Sequence, residues 1–100
     1  MIKLIATDVD GTLVKDSSRD VYDELLDAAS KLAGEGRRFV VASGRQYGSL
    51  RRMFQPVADR IGFIAENGAH LIVDGKDISV VPMQREYVEQ IMADLRALYP

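Results

Sequence analysis

The sequence contains no cysteine and only one histidine in its 100 residues. Disulfides and thiolate metal sites are therefore excluded, and a reducing compartment is the simplest fit. An excess of either charge is also missing. Thirteen Lys and Arg face fifteen Asp and Glu, for a formal net charge of -2, with the two signs interspersed. That balance argues against a basic face for nucleic acid and against a polybasic membrane anchor. No segment approaches the length of a membrane span. Met1 to Ala6 is too short for a secretory core and runs straight into charged residues. A cytoplasmic protein is the expectation. What remains is ordinary: 47% hydrophobic and 28% charged residues describe a soluble globular chain with one small core.

Along the chain, Ile2 to Thr7 reads as a buried strand that opens into the turn cluster Asp8-Val9-Asp10-Gly11. Ser17 or Ser18 offers a cap for a helix beginning near Arg19, with Val21, Leu25, Leu26, Ala29 and Leu32 at helical spacing. Gly34 and Gly36 end that helix, and Arg37 to Ala42 supplies a second strand. A shorter helix is expected from Gln46 to Phe54, stopping before Pro56. Ile61 to Glu66 reads as a third strand. Asn67-Gly68 is the dipeptide of a type I′ hairpin, with Ala69 to Val73 beyond it. Asp74-Gly75 makes another turn, Ile78 to Val81 completes a meander, and Arg85 to Tyr99 forms a last helix. Its stripe is Val88, Ile91, Met92, Leu95 and Leu98.

The order βαβαβ followed by ββα implies an α/β fold with a parallel sheet wound by right-handed crossovers. Ligands of such sheets bind at the carboxyl ends of the strands. Asp8, Ser43 and Glu66-Asn67 all fall there.

Asp8-Val9-Asp10-Gly11-Thr12 is the strongest chemical signal. Two carboxylates two residues apart can divide a phosphoryl transfer. Asp8 would attack phosphorus and carry an aspartyl-phosphate, while Asp10 would protonate the leaving oxygen and then activate water. This requires different environments, with Asp8 ionised and Asp10 able to hold a proton. Magnesium suits an all-oxygen site at Asp8 and Asp10, taking one Asp8 oxygen, a backbone carbonyl, a phosphate oxygen and waters. Gly11 would let the backbone approach the phosphate, and Thr12 offers a hydroxyl. The alternative is a loop whose aspartates only cap turns.

These residues resemble the haloacid dehalogenase superfamily, whose first motif is D-x-D-G-T at the end of the first strand. Val40-Val41-Ala42-Ser43-Gly44-Arg45 resembles its second motif. Ser43 would then donate to a phosphate oxygen and the following amides, Gly44 onward, would add donors at a helix start. The alternative for Ser43 is a plain helix cap. Arg45 would face phosphate or substrate, or be an exposed arginine of no special role. Glu66-Asn67-Gly68-Ala69 looks like the E-N-G-A segment of the Cof-type branch, which includes many sugar-phosphate phosphatases. Asn67 is then a candidate substrate contact, against a purely structural turn. His70 is read as structural, Phe39 and Phe63 as strand core, and Met53-Phe54 and the last helical stripe as core or interface packing.

The resemblance implies a parallel, Rossmann-like core over 1–82, followed by the start of a cap over 83–100. It also implies a magnesium-dependent phosphomonoester hydrolase acting on a small phosphorylated metabolite such as a sugar phosphate. Only about thirty residues separate Thr12 from Ser43, so no cap fits between them. Two later motifs of the family have no counterpart here: a Lys or Arg that holds Asp8 and phosphate, and an acidic cluster that completes the magnesium shell. The chain therefore reads as an incomplete and poorly active piece of a longer protein. Its first strand would have an unpaired edge and associate with another copy or with the absent portion. A phosphomutase, or a non-catalytic binding or assembly module on the same fold, is the competing reading.

Overall fold

A computed structural model describes residues 2–15 and 21–100. Five strands form one sheet in the order β1-β2-β3-β4-β5: β1 Leu4–Asp8, β2 Arg38–Ala42, β3 Gly62–Ala65, β4 His70–Val73 and β5 Lys76–Val80. The first three run parallel and the last two are antiparallel additions. Helices α1 (Asp23–Gly34) and α2 (Tyr47–Met53) connect the parallel strands, and α3 (Arg85–Leu98) follows the meander. The expected α/β architecture is the one observed.

Both crossovers step the chain the same way across the sheet, so right-handed connections put α1 and α2 over one face. Strand alternation supplies that face with Phe39 and Val41 from β2, Phe63 from β3 and Ile72 from β4. Leu50 and Met53 come down from α2, Phe54 follows at its end, and Val57, Ala58 and Ile61 come from the 3₁₀ segment Gln55–Arg60 and its end. Phe54 meets Phe63 edge to face at 6.2 Å between ring centres. Burying a side chain of this size contributes about 1.5–3 kcal/mol before entropy, so this cluster holds the two loops of the site in place.

Several boundaries differ from the sequence expectation. The first helix begins at Asp23, with Tyr22 as its cap residue in extended conformation. Ser17, Ser18 and Arg19 lie outside the described residues. The end is as expected: Gly36 N–H donates to the Ala33 carbonyl and Arg37 N–H to the Leu32 carbonyl, a Schellman closure. Asn67-Gly68 does not make a two-residue hairpin, because the loop between paired Ala65 and His70 holds four residues. The two-residue turn falls instead at Asp74-Gly75, both with positive φ, between paired Val73 and Lys76.

Two surfaces contrast with this core. Among the described residues β1 pairs only with β2, and Leu4 and Ile2 beside it are exposed. All fourteen residues of α3 are exposed, including the Val88, Ile91, Met92 and Leu95 stripe, so it is not core of this chain. The molecule is accordingly long, 53 × 27 × 22 Å, with a radius of gyration of 16.5 Å against about 13 Å for a compact domain of this length. No helix of the described residues is long and apolar enough to cross a membrane.

Candidate active site

The site begins with a reversal after β1. Asp8 is the last residue of the strand and pairs in register with Ala42, the last residue of β2. The fully buried Val9 follows, and its carbonyl accepts the amides of Thr12, Leu13 and Val14 at 3.2, 2.9 and 3.1 Å. Gly11, at φ +78°, donates its N–H to the Val14 carbonyl at 2.8 Å. That left-handed conformation costs a side-chain-bearing residue about 1–2 kcal/mol and glycine almost nothing. Apolar anchors at Val9 and Val14 thus turn Asp8 and Asp10 out at the rim.

One strand over, Ser43 is nearly buried. Its N–H donates to the Ile64 carbonyl, and its hydroxyl oxygen accepts the Arg45 N–H at 3.0 Å. Accepting that bond fixes the oxygen and leaves the O–H to donate elsewhere. The helix cap is Gln46, three residues on, so the plain-cap alternative for Ser43 does not hold. For the same reason the amides after Ser43 belong to a loop and not to the helix start.

The third element is the loop after β3. Glu66, Asn67 and Gly68 take φ of +52°, +56° and +99° in succession. Two residues with side chains in this region store strain that something must offset. The compensation is a pair of cross-loop bonds: Glu66 N–H to the Arg45 carbonyl at 3.0 Å, and Asn67 N–H to the Ser43 carbonyl at 3.1 Å. The Asn67 amide lies against Gly44, where an added Cβ would approach Oδ1 to 3.2 Å. The sequence placed Glu66 at the strand end beside Asn67 but gave it no role; its main-chain bond to the Arg45 carbonyl is the part it plays here.

Asp8, Ala42, Ser43, Gly44, Ile64 and Asn67 line one open groove of about 340 Å³. Gly11 and Thr12 line a neighbouring hollow with Leu13, Val14, Lys15 and Tyr22. The Thr12 hydroxyl reaches back to Asp8 Oδ2 at 3.5 Å, at the limit of a hydrogen bond. Arg45 is not part of the groove lining. Its Nε donates to Asp10 Oδ2 at 3.0 Å, Nη2 donates to Asp10 Oδ1, and Nη1 contacts Met53 Sδ at 3.2 Å. Hydrogen bonding to Asp10 raises the Arg45 pKa above its ordinary value, against the opposing effect of burial. A two-pronged pair of this kind fixes the position and plane of the Asp10 carboxyl group.

The oxygen donors suit a hard cation such as magnesium. Among the described residues no three acidic, His or Cys side chains converge. His70 packs edge to face on Tyr47 at 5.6 Å and pairs with Asp77 at 2.7 Å.

Comparison with known proteins agrees with this geometry. Residues 5–99 match the family model of haloacid dehalogenase-like hydrolases. The chain is similar to the 5-amino-6-(5-phospho-D-ribitylamino)uracil phosphatase YbjI of Escherichia coli, 42% identical over 77 residues, covering 77% of this chain and 28% of that protein. It is also similar to a phosphoglycolate phosphatase of Sulfolobus acidocaldarius, 39% identical over 79 residues, covering 76% of this chain and 34% of that one. A solved protein of Eubacterium rectale superposes with a TM-score of 0.83 at 35% identity, over 95% of this chain and 36% of that chain. The chain thus spans about a third of the length of the curated relatives it matches. With the motif at Asp8, the groove and the family match in agreement, this chain belongs to the haloacid dehalogenase-like hydrolases.

Proposed function

We propose that the protein is a magnesium-dependent phosphomonoester hydrolase that acts through an aspartyl-phosphate on Asp8. The observation that carries this reading is the groove itself, which gathers a carboxylate, a nearly buried hydroxyl and an amide at the carboxyl ends of three parallel strands. Its relatives named as phosphatases support the same reaction class. Asp8 is the nucleophile, Ser43 O–H donates to a phosphoryl oxygen, and Asn67 contacts the substrate. Magnesium, held by Asp8 and the Asp10 segment, would neutralise charge on the transferring group.

Asp10 is the proton-transfer group. In the first half-reaction it protonates the leaving oxygen. In the second half-reaction the resulting carboxylate takes a proton from the attacking water, which restores the acid. The substrate class is a small phosphorylated metabolite. A phosphomutase would share the first half-reaction and differ only in the acceptor.

The test is to quench turnover in acid and map phosphorylated peptides by mass. Hydroxylamine-labile phosphate should appear on the peptide bearing Asp8, and Asp8→Asn should lower turnover by roughly 10⁴-fold or more. Phosphate on another residue, or activity surviving in Asp8→Asn, would refute the assignment.

A further inference from the structure

We propose that Arg45 is a positioning residue that aims Asp10, and not a phosphate ligand. The inference rests on the reading of Asp10 as the proton-transfer group. Three observations carry it. All three guanidinium nitrogens are engaged, two on the two oxygens of Asp10 and the third on Met53 Sδ. The side chain is more shielded than its partner, 18% exposed against 34%. Its main chain is clasped on both sides, N–H on Ser43 Oγ and carbonyl on Glu66 N–H.

A planar fork that meets both oxygens of a carboxylate fixes its location and also the plane in which its lone pairs lie. Phosphate could take the two N–H groups that Asp10 holds only by displacing that carboxylate. The groove that holds Asp8 and Ser43 does not include Arg45 in its walls. Met53 is a buried residue of α2, so the brace on Arg45 leads from the core to the rim. Asp10 is thereby tied to the loop that carries Ser43, and the two halves of the reaction keep a common frame.

Aiming and phosphate binding predict different kinetics. A nitrophenolate leaves without a proton, whereas an alkoxide needs one, so a fault in proton delivery shows selectively on alkyl esters. In a form of the protein that turns over, Arg45→Met should lower kcat on glycerol phosphate at least about tenfold more than on p-nitrophenyl phosphate. KM should change little on either. Asp10→Asn should show the same selectivity, and Asp10→Asn with Arg45→Met should be no slower than Asp10→Asn alone. Equal losses on both esters, or a raised KM with kcat intact, would overturn the proposal while Asp10→Asn stayed selective. If Asp10→Asn itself lost the two esters equally, the role of Asp10 would be refuted and the proposal with it.

A second measurement needs no turnover. In ¹⁵N spectra of the 100-residue chain, the Arg45 Nε–H signal should be protected from exchange, vanish in Asp10→Ala and stay unmoved by inorganic phosphate with magnesium. Persistence in Asp10→Ala, or displacement by phosphate, would overturn the assignment.

Discussion

At the carboxyl ends of the strands Arg45 grips Asp10, while at the amino ends Arg38 grips Asp74 at 2.7 Å and Arg51 grips Asp59 at 2.8 Å. The residue types are the same and the surroundings are not. Arg38 and Asp74 are each about half exposed, and Asp59 is more exposed still. Arg38, Asp74 and Asp59 rim a hollow of about 310 Å³ with Arg37 and Arg60. Among the described residues, no hydroxyl and no carboxylate of the first motif lines it. Exposed ion pairs contribute little, about 0–1 kcal/mol, because water and salt screen them and both side chains lose entropy. The pair at the carboxyl end is tied into three loops by main-chain bonds, so its geometry is held and not merely permitted. Shielding and loop lacing, more than residue type, separate a candidate site from a solvated surface.

The comparison breaks most readily under substitution of one polar side chain at each end. Ser43→Ala removes the donor that faces the groove and the acceptor of the Arg45 N–H. Turnover should fall by about 10²–10³-fold, the usual loss for one preorganised donor, with stability lowered by no more than about 1 kcal/mol. Arg38→Ala should leave turnover unchanged and shift the melting transition only slightly. Steady-state kinetics and thermal melts read both. Equal kinetic effects at the two ends would remove the distinction.

Glycines sharpen the contrast in the opposite sense. At the amino end, Gly75 has φ +76°, and an added Cβ would lie 2.8 Å from Asp59 Oδ1. Gly75→Ala should cost about 1–2 kcal/mol of stability from the backbone conformation and leave turnover alone. Gly44→Ala meets only the Asn67 amide at 3.2 Å, a group that can shift. It should cost under about 1 kcal/mol yet slow turnover by displacing Asn67. Denaturant unfolding beside kinetics checks the pair.

The sequence made the strands, the short α2 and the position of Asp8 legible because each rests on a local pattern: alternation, helical spacing, or a turn cluster after an apolar run. What escaped it depends on contacts between distant residues. Val21 and Tyr22 fit the spacing of α1 but stay outside it, since periodicity does not mark where a cap falls. Asn67-Gly68 has the composition of a two-residue hairpin, yet the Glu66 and Asn67 amides gain more by bonding the Ser43 loop, and the chain enlarges the turn to reach it. Arg45 was visible as a cation beside Ser43. That it points to Asp10, 35 positions away, follows only from β1 and β2 being neighbours. The α3 stripe is regular at 3.6 residues, but periodicity says only that a face exists, not what covers it.

The smallest expected effect concerns pH at the amino end. Hydrogen bonding to Arg51 holds the Asp59 carboxyl below its ordinary value. A carboxylate with a depressed folded-state pKa lends stability above its unfolded value, near pH 4, and that contribution is lost as pH falls through the folded value. Arg51→Ala should therefore melt slightly below the parent protein at pH 7, and the two curves should converge in acid. Because Asp59 is exposed, the gap should also shrink in high salt, where surface attraction is screened within a few ångströms. A gap that widened in acid would reverse the sign of the interaction. One that ignored salt would mean that Arg51 acts through its 3.0 Å bond to the Tyr47 hydroxyl, and so through the core beneath Phe63.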